Sequence, residues 1–138
     1  MTDLVITAAN VVKGSNAKTR TGVAGTTITA GQTLYKDTTD SDKYKLYDAD
    51  SATEIVRVLA GVALNSASAG QPITMQYEGN ITIGATVAAG TVYLGSDTAG
   101  GIMPDADSEA GDYVTVLGIG ISTTQIRLKF IDSGVAHA

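Results

Sequence analysis

The sequence predicts an all-β fold: a small, compact β barrel, tulip-like or sandwich domain carrying an extended N-terminal arm, with signs of an internal duplication. Three observations lead there. First, 42 of the 138 residues are Val, Ile or Thr, the side chains that fit a pleated, half-buried surface. Second, apolar residues recur at every other position in short runs, which puts them on one face of a strand. Third, the 16 glycines fall between those runs and Pro occurs only twice, so turns are made by glycine. With aromatic content at 5% and no Trp, the core must be aliphatic.

Residues 1–26 mix the apolar stretches Leu4-Val5-Ile6 and Val11-Val12 with Gly14, Ser15, Asn16, Gly22 and Gly25, and read as an extended arm. The β domain is expected over 27–132, and 133–138 is left as a C-terminal tail. Its first strand covers about 32–36. In Lys43-Tyr44-Lys45-Leu46-Tyr47, Tyr44 and Leu46 share one face while Lys43, Lys45 and Tyr47 share the other. Ser51-Ala52-Thr53-Glu54 fits a capping box that starts a single helical turn. A strand follows over about 56–64. Ile73, Met75 and Tyr77 form the apolar face of 73–78, and another strand covers 80–84. Beyond a strand at 91–94, Pro104–Asp112 reads as an acidic loop. The last two strands lie at 113–121 and 125–130, where Ile126, Leu128 and Phe130 face inward and Gln125, Arg127 and Lys129 outward.

The two halves resemble each other. Ile28-Thr29-Ala30-Gly31-Gln32-Thr33-Leu34-Tyr35 matches Val87-Ala88-Ala89-Gly90-Thr91-Val92-Tyr93, and Val58–Leu64 matches Val116–Ile121, both at an offset of 57–59. Two units are too few for a solenoid. They suffice for a pseudo-symmetric domain in which each half completes the other's core.

Charge and chemistry narrow the function. The net charge is −5 and the pI about 4.6, too acidic for a broad phosphate-binding surface, so no nucleic-acid partner is expected. The distribution is uneven. In 1–26, Lys13, Lys18 and Arg20 against Asp3 leave +2, whereas the remaining six cations and 13 carboxylates leave −7. Cysteine is absent, which removes thiolate chemistry and disulfides. The single histidine, His137, falls in the tail. Asp48-Ala49-Asp50 with Glu54 lacks the glycine and terminal glutamate of a calcium loop, and Asp105-Ala106-Asp107-Ser108-Glu109 with Asp112 reads as a solvated loop. Gly118-Ile119-Gly120-Ile121 lacks the third glycine of a dinucleotide fingerprint. No enzyme, cofactor or metal site is expected. No apolar run approaches a membrane span or a signal peptide, so the chain is expected to be made in a cytosol-like compartment and to have no membrane partner.

Several stretches, in order, carry a resemblance. Ile6-Thr7-Ala8-Ala9-Asn10-Val11-Val12-Lys13-Gly14 is followed by Val23-Ala24-Gly25-Thr26-Thr27-Ile28-Thr29-Ala30-Gly31-Gln32, then Ala60–Pro72, Ile83-Gly84-Ala85-Thr86-Val87 and Tyr93-Leu94 with Ser96–Ile102. Together they resemble bacteriophage head decoration (capsid cement) proteins over nearly the whole chain. The resemblance implies a non-enzymatic virion protein, made in the host bacterial cytoplasm, that binds the major capsid protein on the outer capsid surface. It also implies homotrimers, formed in some cases only on the capsid, at three-fold positions. It assigns no individual residue. An arm that orders on docking would add a strand to the shell protein, with Lys13, Lys18 and Arg20 as the capsid-docking cations. On this reading, deleting 1–26 abolishes capsid binding and leaves the body folded. The alternative is a phage tail or fibre module binding host glycan, which the absence of Trp disfavours because sugars stack on aromatic faces. An enzyme or small-molecule-binding barrel ranks last, for want of a convergent polar set.

Overall fold

A computed structural model describes residues 3–138; expectations placed on Met1 and Thr2 lie outside it. The described residues form ten strands: β1 (Val11–Lys13), β2 (Lys18–Val23), β3 (Thr33–Asp37), β4 (Lys43–Leu46), β5 (Gly61–Ala63), β6 (Pro72–Ile83), β7 (Val92–Gly95), β8 (Ile102–Pro104), β9 (Tyr113–Gly120) and β10 (Gln125–Ala136). All strand pairings are antiparallel, and they build one curled, half-barrel sheet in the order β4-β3-β5-β6-β10-β9-β7-β8, with β1 and β2 on β6.

β6 organises the molecule because its two halves have different neighbours. Gln76 pairs with Val62 of β5 on one side and Thr19 of β2 on the other. Further along, Ile81 pairs with Ile126 of β10 and Lys13 of β1. Positive-φ Gly79 (φ 91°) sits between these halves, where a side chain would meet the backbone of Asn16 and Ala17. The register shifts at the same place, between Lys18 and Thr19. The buried Gln76 amide spans the irregularity, donating to the Glu78 carbonyl (3.1 Å) and the Asn80 carbonyl (2.8 Å). Asn16 Oδ1 accepts from the Asn80 amide on the other side (2.8 Å).

The bulge changes two expected features. The separate strands at 73–78 and 80–84 are one continuous strand. Ile73 and Met75 are buried as expected, but Gln76 replaces Tyr77 inside, and Tyr77 is half-exposed. Lys18 pairs with Glu78 and Thr19 with Gln76, so Tyr77 is the extra residue; the departure is local, and the alternation of Ile73 and Met75 resumes at Ile81 and Ile83.

The expected free arm is corrected more broadly. Residues 11–23 are not a projecting segment; β1 and β2 lie along β6 and close its outer side. The segment also reaches both ends of the strand path. Gly25 N donates to the Tyr44 carbonyl beside β4, and Leu4 N to the Ile102 carbonyl at β8, each at 2.8 Å. An exposed edge leaves backbone donors and acceptors unpaired, and these contacts satisfy some of them. The tail over 133–138 is likewise replaced by strand up to Ala136. His137 N donates to the Asp112 carbonyl, and its Nδ1 lies 2.9 Å from Ser108 Oγ.

The strand expected from residue 56 starts at Gly61, after a short 3-10 turn over Glu54–Arg57. Ser51 accepts from Thr53 N instead of capping that turn. Tyr47, expected on the lysine face, is fully buried because the chain continues past β4 into the core, with its amide bonded to the Thr33 carbonyl. The fold class, all-β, is as the sequence indicated.

The duplication is structural. Gly31 N donates to Ala63 O (2.8 Å) and Ala63 N to Gln32 O (2.9 Å). In the second half, Gly90 N donates to Gly120 O (2.7 Å) and Gly120 N to Thr91 O (2.9 Å). These are the residues that the sequence repeat aligns. The apolar side chains gather in two clusters. The smaller centres on Ile28, Leu34, Ile73 and Met75, and the larger on Ile81, Ile83, Tyr93, Leu117, Ile126 and Leu128.

Candidate functional site

The three cations singled out on the N-terminal segment lie on folded strands and do not act together. Lys18 Nζ is 3.1 Å from Glu78 of β6, which raises the lysine pKa. The Arg20 guanidinium lies 4.3 Å from the centre of the Tyr77 ring. Only Lys13, exposed at the end of β1, has no such partner among the described residues. Burying that segment against β6 ties up two of the three charges in cross-strand contacts.

A different surface stands out. On the outer face of β9 and β10, Ile119 (47% exposed) and Ile131 (56%) lie open to solvent, with Val116 and Ile121 beside them. They border a shallow groove of about 210 Å³ together with Arg127 and Lys129. Strand alternation explains the placement. Ile126 and Leu128 turn into the core, so Arg127 and Lys129 point out, and Arg127 lies directly opposite Ile119. Gly118 permits it, because any side chain there would run into the Arg127 carbonyl. The sequence shows the outward direction of Arg127 and Lys129. It gave no sign that Ile119 and Ile131 would join them, since aliphatic residues in a strand read as core.

The two acidic loops judged separately from the sequence meet in space. One carboxylate oxygen each from Asp50, Asp97 and Asp112 lie within 4.8 Å of one another, oxygen donors of the type a hard divalent cation takes. Asp112 is buried, and its Oδ2 accepts from Glu109 N (2.9 Å). Asp48 adjoins this cluster. Partial burial, with contributions from Asp50 and Asp97, pushes its pKa up to about 6.

The tyrosines are committed to the fold. Tyr35, Tyr44, Tyr47 and Tyr93 are buried, and Arg20 and Arg57 lie over the rings of Tyr77 and Tyr113 (4.3 and 3.5 Å). A surface depression of about 490 Å³ is bordered by Val5, Thr7, Asn10, Thr82, Gly84 and Thr124, hydroxyl, amide and small apolar groups that offer hydrogen bonds but no acid or base. No described helix is long and apolar enough to cross a membrane.

Set against protein-family models, curated proteins and solved structures, the chain has no match, so the functional reading rests on its own residues and geometry.

Proposed function

We propose that the chain is a non-enzymatic bacteriophage head decoration protein, which binds the major capsid protein on the outside of the expanded head and stabilises the shell against the pressure of packaged DNA. The observation that carries this reading is the open aliphatic face of β9 and β10. A water-exposed cluster of Ile and Val on a sheet is a feature of protein-binding surfaces. The resemblance to capsid cement proteins supplies the kind of partner. Many copies binding the assembled shell, and not its dissociated subunits, would stabilise it by mass action. The glycan-binding alternative is disfavoured by the tyrosines, whose rings are buried or already stacked by arginine.

The test is co-sedimentation of the purified protein with expanded empty heads of the phage that encodes it, stripped of this protein. Saturation at a fixed ratio to the shell protein is the expected result, and a value near one-to-one corresponds to trimers at every three-fold position. A protein that stays in the supernatant at all concentrations refutes the reading.

A further inference from the structure

Resting on that reading, we infer that the chain docks through the β9–β10 face, and that the shell surface it meets combines aliphatic side chains with carboxylates. The N-terminal strands are not the docking element.

Charge pairing identifies the partner's chemistry. Lys43 and Lys45 are held by Asp37 and Asp40, and Lys18 by Glu78. Arg127 and Lys129 have no such carboxylate among the described residues, although the chain is acidic overall. Lys129 lies opposite Glu78 in register, but Glu78 is engaged by Lys18 from the other side of β6. Arg127 has one long side-chain contact, Nε to Asn80 Oδ1 at 3.4 Å. Two unpaired cations beside Ile119 and Ile131 therefore match a surface that brings both carboxylates and apolar groups. On a chain of net charge −5, this face is where an acidic partner is attracted and not repelled.

The mode of contact follows from the same strands. Past Lys129, β10 no longer pairs with β6, which leaves one side of 130–136 open to strand addition. That stretch is irregular: its register with β9 shifts twice, and Gly134 has φ 67°. Bulges of this kind twist an edge away from further pairing. The regular part of the hairpin, where Arg127 faces Ile119, offers its side chains instead. Contact is therefore face-on, with no strand added to the shell protein.

The experiment compares head binding by the intact chain, R127E/K129E, I131S and K13E/R20E, with circular dichroism and a thermal melt on each. All the substituted positions are exposed or at the surface, so the fold should persist. The expected result is a loss of about tenfold or more for R127E/K129E and I131S, and native binding by K13E/R20E. Affinity of the intact chain should also fall as salt rises from about 50 to about 500 mM, as surface charges are screened. If the intact chain binds but both face variants bind equally well, this face is not the contact, while the decoration role stands. If K13E/R20E alone loses binding, docking belongs to the N-terminal strands and the inference is overturned. If the intact chain does not bind, the decoration role and this inference fall together.

Discussion

Three side chains show how local electrostatics and hydrogen bonding set stability. Asp37, 12% exposed at its side chain, accepts from Lys45 Nζ (2.8 Å) and from both the amide and hydroxyl of Thr39, which lowers its pKa to about 2. A carboxyl with a depressed folded-state pKa stabilises above its unfolded value near 3.8, and that contribution disappears as pH falls through about 2. Asp37→Asn should therefore melt lower than the parent at pH 7, with the gap closing as pH approaches 2 in a thermal-melt series. Asp48 works the other way. With its pKa raised to about 6, its charged form is disfavoured in the folded chain, so it destabilises increasingly from pH 3.8 up to about 6 and fully above that. Asp48→Asn, which keeps an oxygen for the Asp50 amide, should raise the melting temperature at pH 7 to 8 and leave it unchanged at pH 4. Gln76 is held by geometry. Replacing it with Leu removes both donors to the carbonyls flanking Gly79; the Asn80 carbonyl keeps the Gly14 amide (2.8 Å), so the loss should be that of the hydrogen bonds themselves, about 1 kcal/mol, readable by urea denaturation.

At the scale of elements, one turn type is used five times: Thr29-Ala30-Gly31-Gln32, Ser68-Ala69-Gly70-Gln71, Ala88-Ala89-Gly90-Thr91, Thr98-Ala99-Gly100-Gly101 and Glu109-Ala110-Gly111-Asp112. In each, the fourth amide donates to the first carbonyl and the glycine has positive φ, which a side chain disfavours. Gly31→Ala and Gly90→Ala should each lose about 1–2 kcal/mol from that conformation. Gly31→Ala should lose more, because its new Cβ would come 2.6 Å from Ile6 Cγ2, whereas the Gly90 position is open. The turns at Gly31 and Gly90 are legible as Ala-Gly punctuation in the repeat, and β3, β7 and β9 lie within a residue or two of the expected strands because local alternation specifies them, whereas β8, beside the Gly100 turn, is too short to show an alternation. The bulge in β6 was not legible: Gln76 is buried to serve Glu78 and Asn80, a requirement that hydrophobic pattern does not record. The N-terminal segment reads as a free arm for a related reason. On the exposed side of β6 its strands need few buried side chains, so Lys18, Thr19, Arg20 and Thr21 read as solvent-facing chain. Since Val11 and Ala24 do enter the two apolar clusters, removing residues 1–26 should now unfold the body or open β6 to aggregation. Loss of the native circular dichroism spectrum is the expected readout, and an intact, monomeric fragment with a cooperative melt would contradict it.

For the whole molecule, duplication does not mean two independent halves. The repeat pairs β3 with β5 as it pairs β7 with β9, yet both halves are joined through β6, whose first part completes one side and whose second part completes the other. The larger apolar cluster also takes Ala30, Tyr47, Ala49, Leu59 and Val62 from the first half and Tyr93, Ile102, Leu117, Ile126 and Leu128 from the second. The repeat was visible in sequence because its Ala-Gly turns and Gly-containing strands recur at nearly constant spacing. The sharing of β6 was not, because which strand bridges two units is a long-range choice. The open β9–β10 face was hidden for the same reason, since only the finished sheet decides that Ile119 and Ile131 have nothing packed over them. A shared central strand and a mixed core mean that opening either half exposes the other, so unfolding should be a single cooperative transition. At about 0.7 kcal/mol per residue near 60 °C, the complete chain should absorb roughly 95 kcal/mol, with the van't Hoff and calorimetric values equal. Two resolved transitions, each carrying about half of that heat, would show that the halves fold separately. The isolated segment 1–83 gives an independent check. It keeps β1 to β6 but lacks β10 and the second-half side chains, and it should show no cooperative melt by circular dichroism.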